Sequence, residues 1–230
     1  MKSSSVGPEI IGKLQRGNNM NLYLHQIKIP YQEANQKKRY TLYQWHQFVW
    51  ELFGDPSKRD RDFLFRLQED QDSFQLLVQG NRKIPPQKNL AIKTKAIPEA
   101  FFQHPTYRFS LLANPTVKKK SDASGKLLKN SRRVAITQNS DLDQWIKRKS
   151  TLHGFSILKD SLHIQVQNQQ FFKKAPSGEA PSHQGWHHRC LFEAILQVTD
   201  RPKFLQTVQN GIGSARGFGF GMLCLQPINF

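Results

Sequence analysis

Apolar and polar positions alternate through Asn21 to Ile29 (NLYLHQIKI), the period of a strand with one buried face. The period changes at Thr41. Leu42, Trp45, Val49 and Leu52 recur at helical spacing and predict an amphipathic helix over Thr41 to Phe53. Its ends are written in the sequence. Thr41 and Gln44 form a capping box, and Gly54 ahead of Asp55-Pro56 is a stop signal. DFLFRL (62–67) and FQLLV (74–78) then read as strands joined by the acidic turn Glu69-Asp70-Gln71-Asp72, and a further strand is expected over Leu90 to Ala96. Strand, helix and three more strands make a ferredoxin-like unit that lacks a second long helix.

The second half repeats the pattern. Tyr107 to Ala113 reads as a strand, and Ser140 is expected to cap a helix running to Thr151, with Leu142, Trp145 and Ile146 on one face. His153–Leu158, Leu162–Val166 and Cys190–Val198 alternate as strands. Asp200 opens a short helix with Pro202 in its first turn. That helix ends at the glycine-rich run 211–221, and a strand follows over Met222 to Leu225. The expected class is α+β with two tandem ferredoxin-like (RRM-like) domains, 20–100 and 101–230, behind a loose polar extension, 1–19.

Charge changes this picture. The chain has 230 residues, 34 Lys+Arg against 17 Asp+Glu, a net charge of +17, and 37% hydrophobic residues. It is too apolar for a disordered tail, and no apolar run approaches the roughly 20 residues that span a bilayer. Two cysteines argue against a disulfide framework and make a reducing cytoplasm the simplest home. The surplus asks for a polyanion, RNA or DNA first. Residues 117–133 alone hold 7 basic and 1 acidic side chain. This segment, centred on the turn-forming Ser121-Asp122-Ala123-Ser124-Gly125, reads as a basic hairpin or loop, or as a solvated linker. Lys118, Lys119, Lys120, Lys126, Lys129, Arg132 and Arg133 are its candidate phosphate contacts. A second basic run contains Lys93 and Lys95 and has no acid between Ser73 and Pro98.

Candidate chemistry lies on the first helix. Tyr43, His46 and Trp50 share a face beside the core stripe, and an imidazole near neutrality can take or give a proton to a phosphodiester. RNA carries its own nucleophile, the 2′-OH, so such a site needs neither a metal nor a covalent intermediate. By itself a histidine on a helix flank is more often structural. The glycine run follows a helix and precedes a strand, the reverse of a dinucleotide fingerprint, and no Gly-Lys-Ser/Thr ends it. Its amides at Gly211 and Gly213, with Arg216, could cradle a phosphate, or the run is a tight packing turn. His183, His187, His188 and Cys190 have the wrong spacing for zinc and read as an exposed or RNA-facing loop. In Asp60-Arg61-Asp62 the arginine suggests ion pairing more than two-metal chemistry. No metal or other cofactor is expected.

LYQWHQFVWELF, RDFLF, IKTK, YRFSLLANP, HRCLFEAILQVTD and GIGSARGFGFGML occur in this order over about residues 20–227. In this the chain resembles the CRISPR-associated repeat-RNA endoribonucleases of the type I-E Cascade complex, the CasE family of the repeat-associated RNA-binding superfamily. The resemblance implies two ferredoxin-like domains and metal-independent cleavage of precursor CRISPR RNA at the repeat hairpin. It implies a 2′,3′-cyclic phosphate and a 5′-OH, with the processed guide kept bound as a Cascade subunit in antiviral defence. His46 matches the catalytic histidine and Tyr43 its helical partner. Lys37, Lys38 and Arg39 are candidates to stabilise the transition state, and Arg216 matches a basic residue of the glycine loop. The implied partners are the repeat hairpin and other Cascade subunits, with no membrane. A noncatalytic hairpin-binding subunit is the competing expectation. Which proton His46 moves is not decided by these residues.

Overall fold

The computed structural model describes residues 21–54, 61–121, 124–125, 127–174 and 183–228; the extension 1–19 lies outside them. The first sheet is antiparallel. It is built from β1 (Leu22–Pro30), β2 (Phe63–Glu69), β3 (Ser73–Gly80) and β4 (Ile92–Ile97) in the order β2-β3-β1-β4. A short α1 (Tyr31–Gln36) and the longer α2 (Leu42–Leu52) connect β1 to β2. Numbered by sequence this is 4-1-3-2, the ferredoxin-like order, with no helix described between β3 and β4.

The amphipathic stripe places α2. Trp45, Val49 and Leu52 are buried together with Ile27, Ile29, Phe63, Phe65, Leu76 and Val78, and Phe48 joins them. Burial of each such side chain stabilises the pairing by roughly 1.5–3 kcal/mol. The start of the helix is defined as its sequence predicts. The Gln44 amide donates to Thr41 Oγ1 at 3.3 Å, and Gln44 Oε1 accepts from the Thr41 amide at 2.9 Å.

The second sheet has the same order. β5 (Thr106–Ala113), β8 (Phe155–Ile157), β10 (His183–Val198) and β11 (Leu223–Pro227) are arranged β11-β5-β10-β8, with α3 (Asn139–Leu152) and α4 (Arg201–Asn210) as connections. Two additions elaborate this unit. β6 (Thr116–Ser121) and β7 (Leu127–Ala135) form a hairpin between β5 and α3, and β9 (His163–Lys174) continues the β8 edge by pairing with β10. β10 is 16 residues long, whereas β5 pairs with it only over Cys190–Gln197. The His183–Arg189 part therefore pairs with β9 alone as a two-stranded ribbon.

Three expectations need correction. SHQGWHHRC is strand, not loop, from His183 onward, and His187 and Cys190 in it are buried. Ser140 lies inside the first turn of α3, whose cap position is Gln138 and has no side-chain cap. His153 follows the end of α3 instead of opening a strand.

The two sheets are joined by specific contacts. Arg66 on β2, almost fully buried, donates to Ser110 Oγ on β5 at 2.9 Å. Gln79 on β3 donates to the Val208 carbonyl on α4 at 2.6 Å. Leu42 at the start of α2 packs in a small cluster with Leu112 of β5 and Phe220 of the glycine-rich run. Cys190 and Cys224 are free thiols. Among the described residues no helix is long and apolar enough to cross a membrane.

Thr41→Ala removes the hydroxyl of the capping box while leaving the core untouched. Urea unfolding should show a loss of about 1 kcal/mol.

Candidate active site

The contact between Leu42, Leu112 and Phe220 brings the flank of α2 against the glycine-rich loop. The loop is pinched shut at its base, where the Ile212 amide donates to the Gly221 carbonyl at 2.9 Å. Gly221 has φ +84°, and a Cβ there would stand 2.5 Å from the Ile212 carbonyl, so only glycine fits. A 3-10 turn, Arg216–Phe218, forms the tip that faces α2.

His46 lies half-buried in this seam. Its ring is tilted against Phe63 of β2 and Phe218 of the loop, with centroids 6.1 and 6.2 Å away. Trp50, one turn further along α2, donates its indole N–H to His46 Nε2 at 3.1 Å. Nδ1 is buried and has no hydrogen-bond partner among the described residues. It faces Gly217, where a Cβ would lie 3.8 Å from Nδ1 and 3.2 Å from Arg61 Nη1. Burial first, and the Arg61 charge second, hold His46 below the ordinary histidine pKa. Arg61 is pushed down in turn by its own burial and by Arg216. The site therefore presents a neutral imidazole beside two guanidiniums, a suitable environment for a phosphodiester whose negative charge grows during reaction. Tyr43 stands half-buried one turn before His46 on the same helix.

The structure places the predicted cations differently from one another. Arg39 lies 3.7 Å over the Phe48 ring and pairs with Glu33 at 3.8 Å, so it braces α2 on the side away from His46. Lys37 and Lys38 are exposed at the end of α1. Lys93 and Lys95 are exposed on β4, an edge strand. The guanidinium that reaches His46 is Arg61. Of the Asp60-Arg61-Asp62 segment, Asp62 is ion-paired, with Arg82 at 2.8 Å, and Asp60 lies outside the described residues. Arg216 donates to the Asn210 carbonyl at 2.6 Å and so steadies the loop as well as charging it. The Gly211 amide is occupied by the Thr207 carbonyl at 2.8 Å. It ends α4 and is not offered to a phosphate.

The basic segment forms the hairpin β6–β7. Lys118 stands directly across from Arg133, a like-charge pairing that costs stability unless an anion relieves it, and Lys119 is in register with Arg132. Lys118, Lys119, Lys120 and Arg133 are exposed; Lys126 lies outside the described residues, and for Lys129 and Arg132 only their backbone positions on β7 are described. Between this hairpin, α3 and the loop is a cavity of 260 Å³ lined by Thr116, Lys118, Arg133, Lys149, Gly213 and Ser214 beside Trp145. Lys149, which the sequence reading missed, is lowered from its ordinary pKa by burial and then by Arg148, Arg133 and Arg216. Only helical periodicity could have signalled it, because Lys149 lies one turn beyond Trp145. A larger hollow of 610 Å³ lies on the second sheet and combines Arg108 with Glu193, but contains none of the groups around His46. No group of three or more metal-ligating side chains occurs among the described residues.

Residues 22–227 match a family model described as CRISPR associated protein. The chain is 29% identical over 195 residues to the CRISPR system Cascade subunit CasE of Escherichia coli, covering 81% of this chain and 92% of that protein. It is 29% identical over 124 residues to the CRISPR-associated endoribonuclease Cse3 of Thermus thermophilus, covering 52% of this chain and 55% of that protein. Among solved structures, Cse3 bound to a 19 nt RNA superposes with a TM-score of 0.70 at 22% identity, covering 90% of this chain and 100% of the other. The CRISPR-associated protein Cas6e of Escherichia coli superposes with a TM-score of 0.66 at 26% identity, with the same coverage.

His187, bonded to Asn114 at 3.1 Å, titrates at about 4 because it is buried. Its folded pKa lies below the unfolded value near 6.5. Its contribution to stability is therefore complete above pH 6.5 and is lost as pH falls toward 4. The urea midpoint should decline over that window, and His187→Gln should flatten the decline.

Proposed function

Because the chain belongs to the CRISPR-associated protein family, we propose that it is an endoribonuclease that cuts precursor CRISPR RNA at the repeat hairpin and keeps the product as a cytoplasmic Cascade subunit. The observation that carries this reading is the neutral His46 held between Arg61 and the glycine loop. The names of the relatives, a Cascade subunit and an endoribonuclease, support it.

The reaction uses the substrate's own nucleophile. The 2′-OH loses its proton, and its oxygen forms a bond to the adjacent phosphorus. The bond from phosphorus to the 5′-oxygen breaks, and that oxygen takes a proton. The products are a 2′,3′-cyclic phosphate and a 5′-OH. His46 is the proton-transfer group, and Tyr43 orients the phosphate from the same helical face. Arg61 and Arg216 offset the charge that builds on the phosphoryl oxygens. No step requires a metal ion.

Grip and cleavage are separate tasks. The β6–β7 hairpin and the cavity at Lys149 and Ser214 hold phosphates away from the helix that cuts. A duplex stem suits this arrangement because its two backbones present phosphates in two rows, which a hairpin and a helix can meet together.

His46→Ala should lower cleavage of labelled repeat RNA by about 10²–10⁴-fold while hairpin binding survives. Wild-type cleavage should persist in EDTA and cease with a 2′-deoxy substitution at the cut site. Unchanged cleavage by His46→Ala, or cutting of the 2′-deoxy RNA, would sink this mechanism. Lys149→Gln should weaken binding of the hairpin and reduce the slope of log affinity against log salt by about 0.7–0.9, the value for one lost phosphate contact.

A further inference from the structure

The contact between Trp50 and His46 constrains the chemistry more tightly than proximity does. An indole N–H only donates, so His46 Nε2, at 3.1 Å, accepts and carries no proton. A neutral imidazole has a single N–H, which then belongs to Nδ1. In water the balance lies the other way, toward Nε2–H, so the protein imposes this tautomer. Trp50 is itself held firmly, its ring edge-on to Phe63 at 4.9 Å and at 84° to the imidazole.

We infer that Trp50 is a positioning residue whose indole N–H holds His46 as the Nδ1-protonated tautomer, so that Nε2 takes the 2′-OH proton. The second half rests on the endoribonuclease reading. Nδ1 is closed off, since it is buried against Gly217. Nε2 is the nitrogen with a lone pair, and the incoming hydroxyl replaces the indole as its hydrogen-bond donor. Proton transfer gives an imidazolium with N–H on both nitrogens. The oxygen keeps the electron pair that attacks phosphorus.

The surroundings work in the same direction. Arg61, from the segment before β2, faces the ring, Arg216 charges the loop behind it, and Tyr43 is the titratable neighbour on α2. Phe63 and Phe218 complete the walls, and among the described residues no carboxylate acts on His46. An imidazolium cannot accept from Trp50, so the indole opposes protonation before substrate arrives. The free protein therefore keeps a base ready at neutral pH.

Nitrogen-15 NMR of the histidine rings in the full chain without RNA at pH 7.5 reads the tautomer directly. Nδ1 of His46 should give a protonated, pyrrole-type shift and Nε2 an unprotonated, pyridine-type shift. Trp50→Phe keeps an aromatic ring against Phe63 and deletes the donor. His46 should then move toward Nε2–H, and the acid limb of the cleavage profile should shift to higher pH. kcat should fall by about tenfold or more with KM little changed, as wrong-tautomer variants of other histidine sites do. An Nε2–H signal in the wild type overturns the inference, as does an unaltered tautomer in Trp50→Phe. The wild-type spectrum decides even if the variant fails to fold. Repeat RNA left uncut by the wild type overturns the endoribonuclease reading and the base assignment with it, while the spectrum still tests the indole contact by itself.

Discussion

The structure depends on one packing contact, that of Leu42 with Leu112 and Phe220. Leu42 is the first residue of α2, Leu112 belongs to the second sheet, and Phe220 to the glycine loop. Without this joint the histidine would sit on one ferredoxin-like unit and the loop on the other. With it, His46 is walled by Phe63 from one half and Phe218 from the other. Arg66 on Ser110 and Gln79 on the Val208 carbonyl secure the same alignment with hydrogen bonds, the second of them buried. Buried donors of this kind are costly to leave unpaired, so they specify one relative arrangement as well as stabilising it.

A second constraint is charge at close quarters. Arg61 is pushed down by burial and then by Arg216, Lys149 by burial and then by Arg148, Arg133 and Arg216, and Lys118 faces Arg133 across a hairpin. The free protein bears this repulsion, and an anion held between these groups would relieve it. Burial first, and the Arg61 charge second, hold His46 below its ordinary pKa, so the charge cluster reaches the imidazole only through Arg61.

Much of the fold was legible in the sequence because its signals are local. Thr41 and Gln44 cap α2 as their spacing requires, the stripe Leu42, Trp45, Val49 and Leu52 is buried, and the basic segment is a hairpin. What misled were residues whose partners are remote. HQGWHH has little apolar alternation, yet it is strand because β9 pairs with it and because His187 finds Asn114 seventy-three positions away. α3 starts at Asn139, ahead of Ser140, and no side chain caps that end. Spacing left Gly211 either as an amide for a phosphate or as part of a packing turn, and its amide closes α4.

The sequence by itself determined the two ferredoxin-like units, the helix that carries Tyr43, His46 and Trp50, and the surplus of positive charge. Those properties follow from period, capping and composition, which act over a few residues. Only the tertiary structure decided which cation meets the histidine. Arg39 is closer in sequence but braces Phe48, and Arg61 arrives through the folding of β2 against α2. It also decided the state of the imidazole, because burial and hydrogen-bond direction exist only once the helix, the sheet and the loop are packed together.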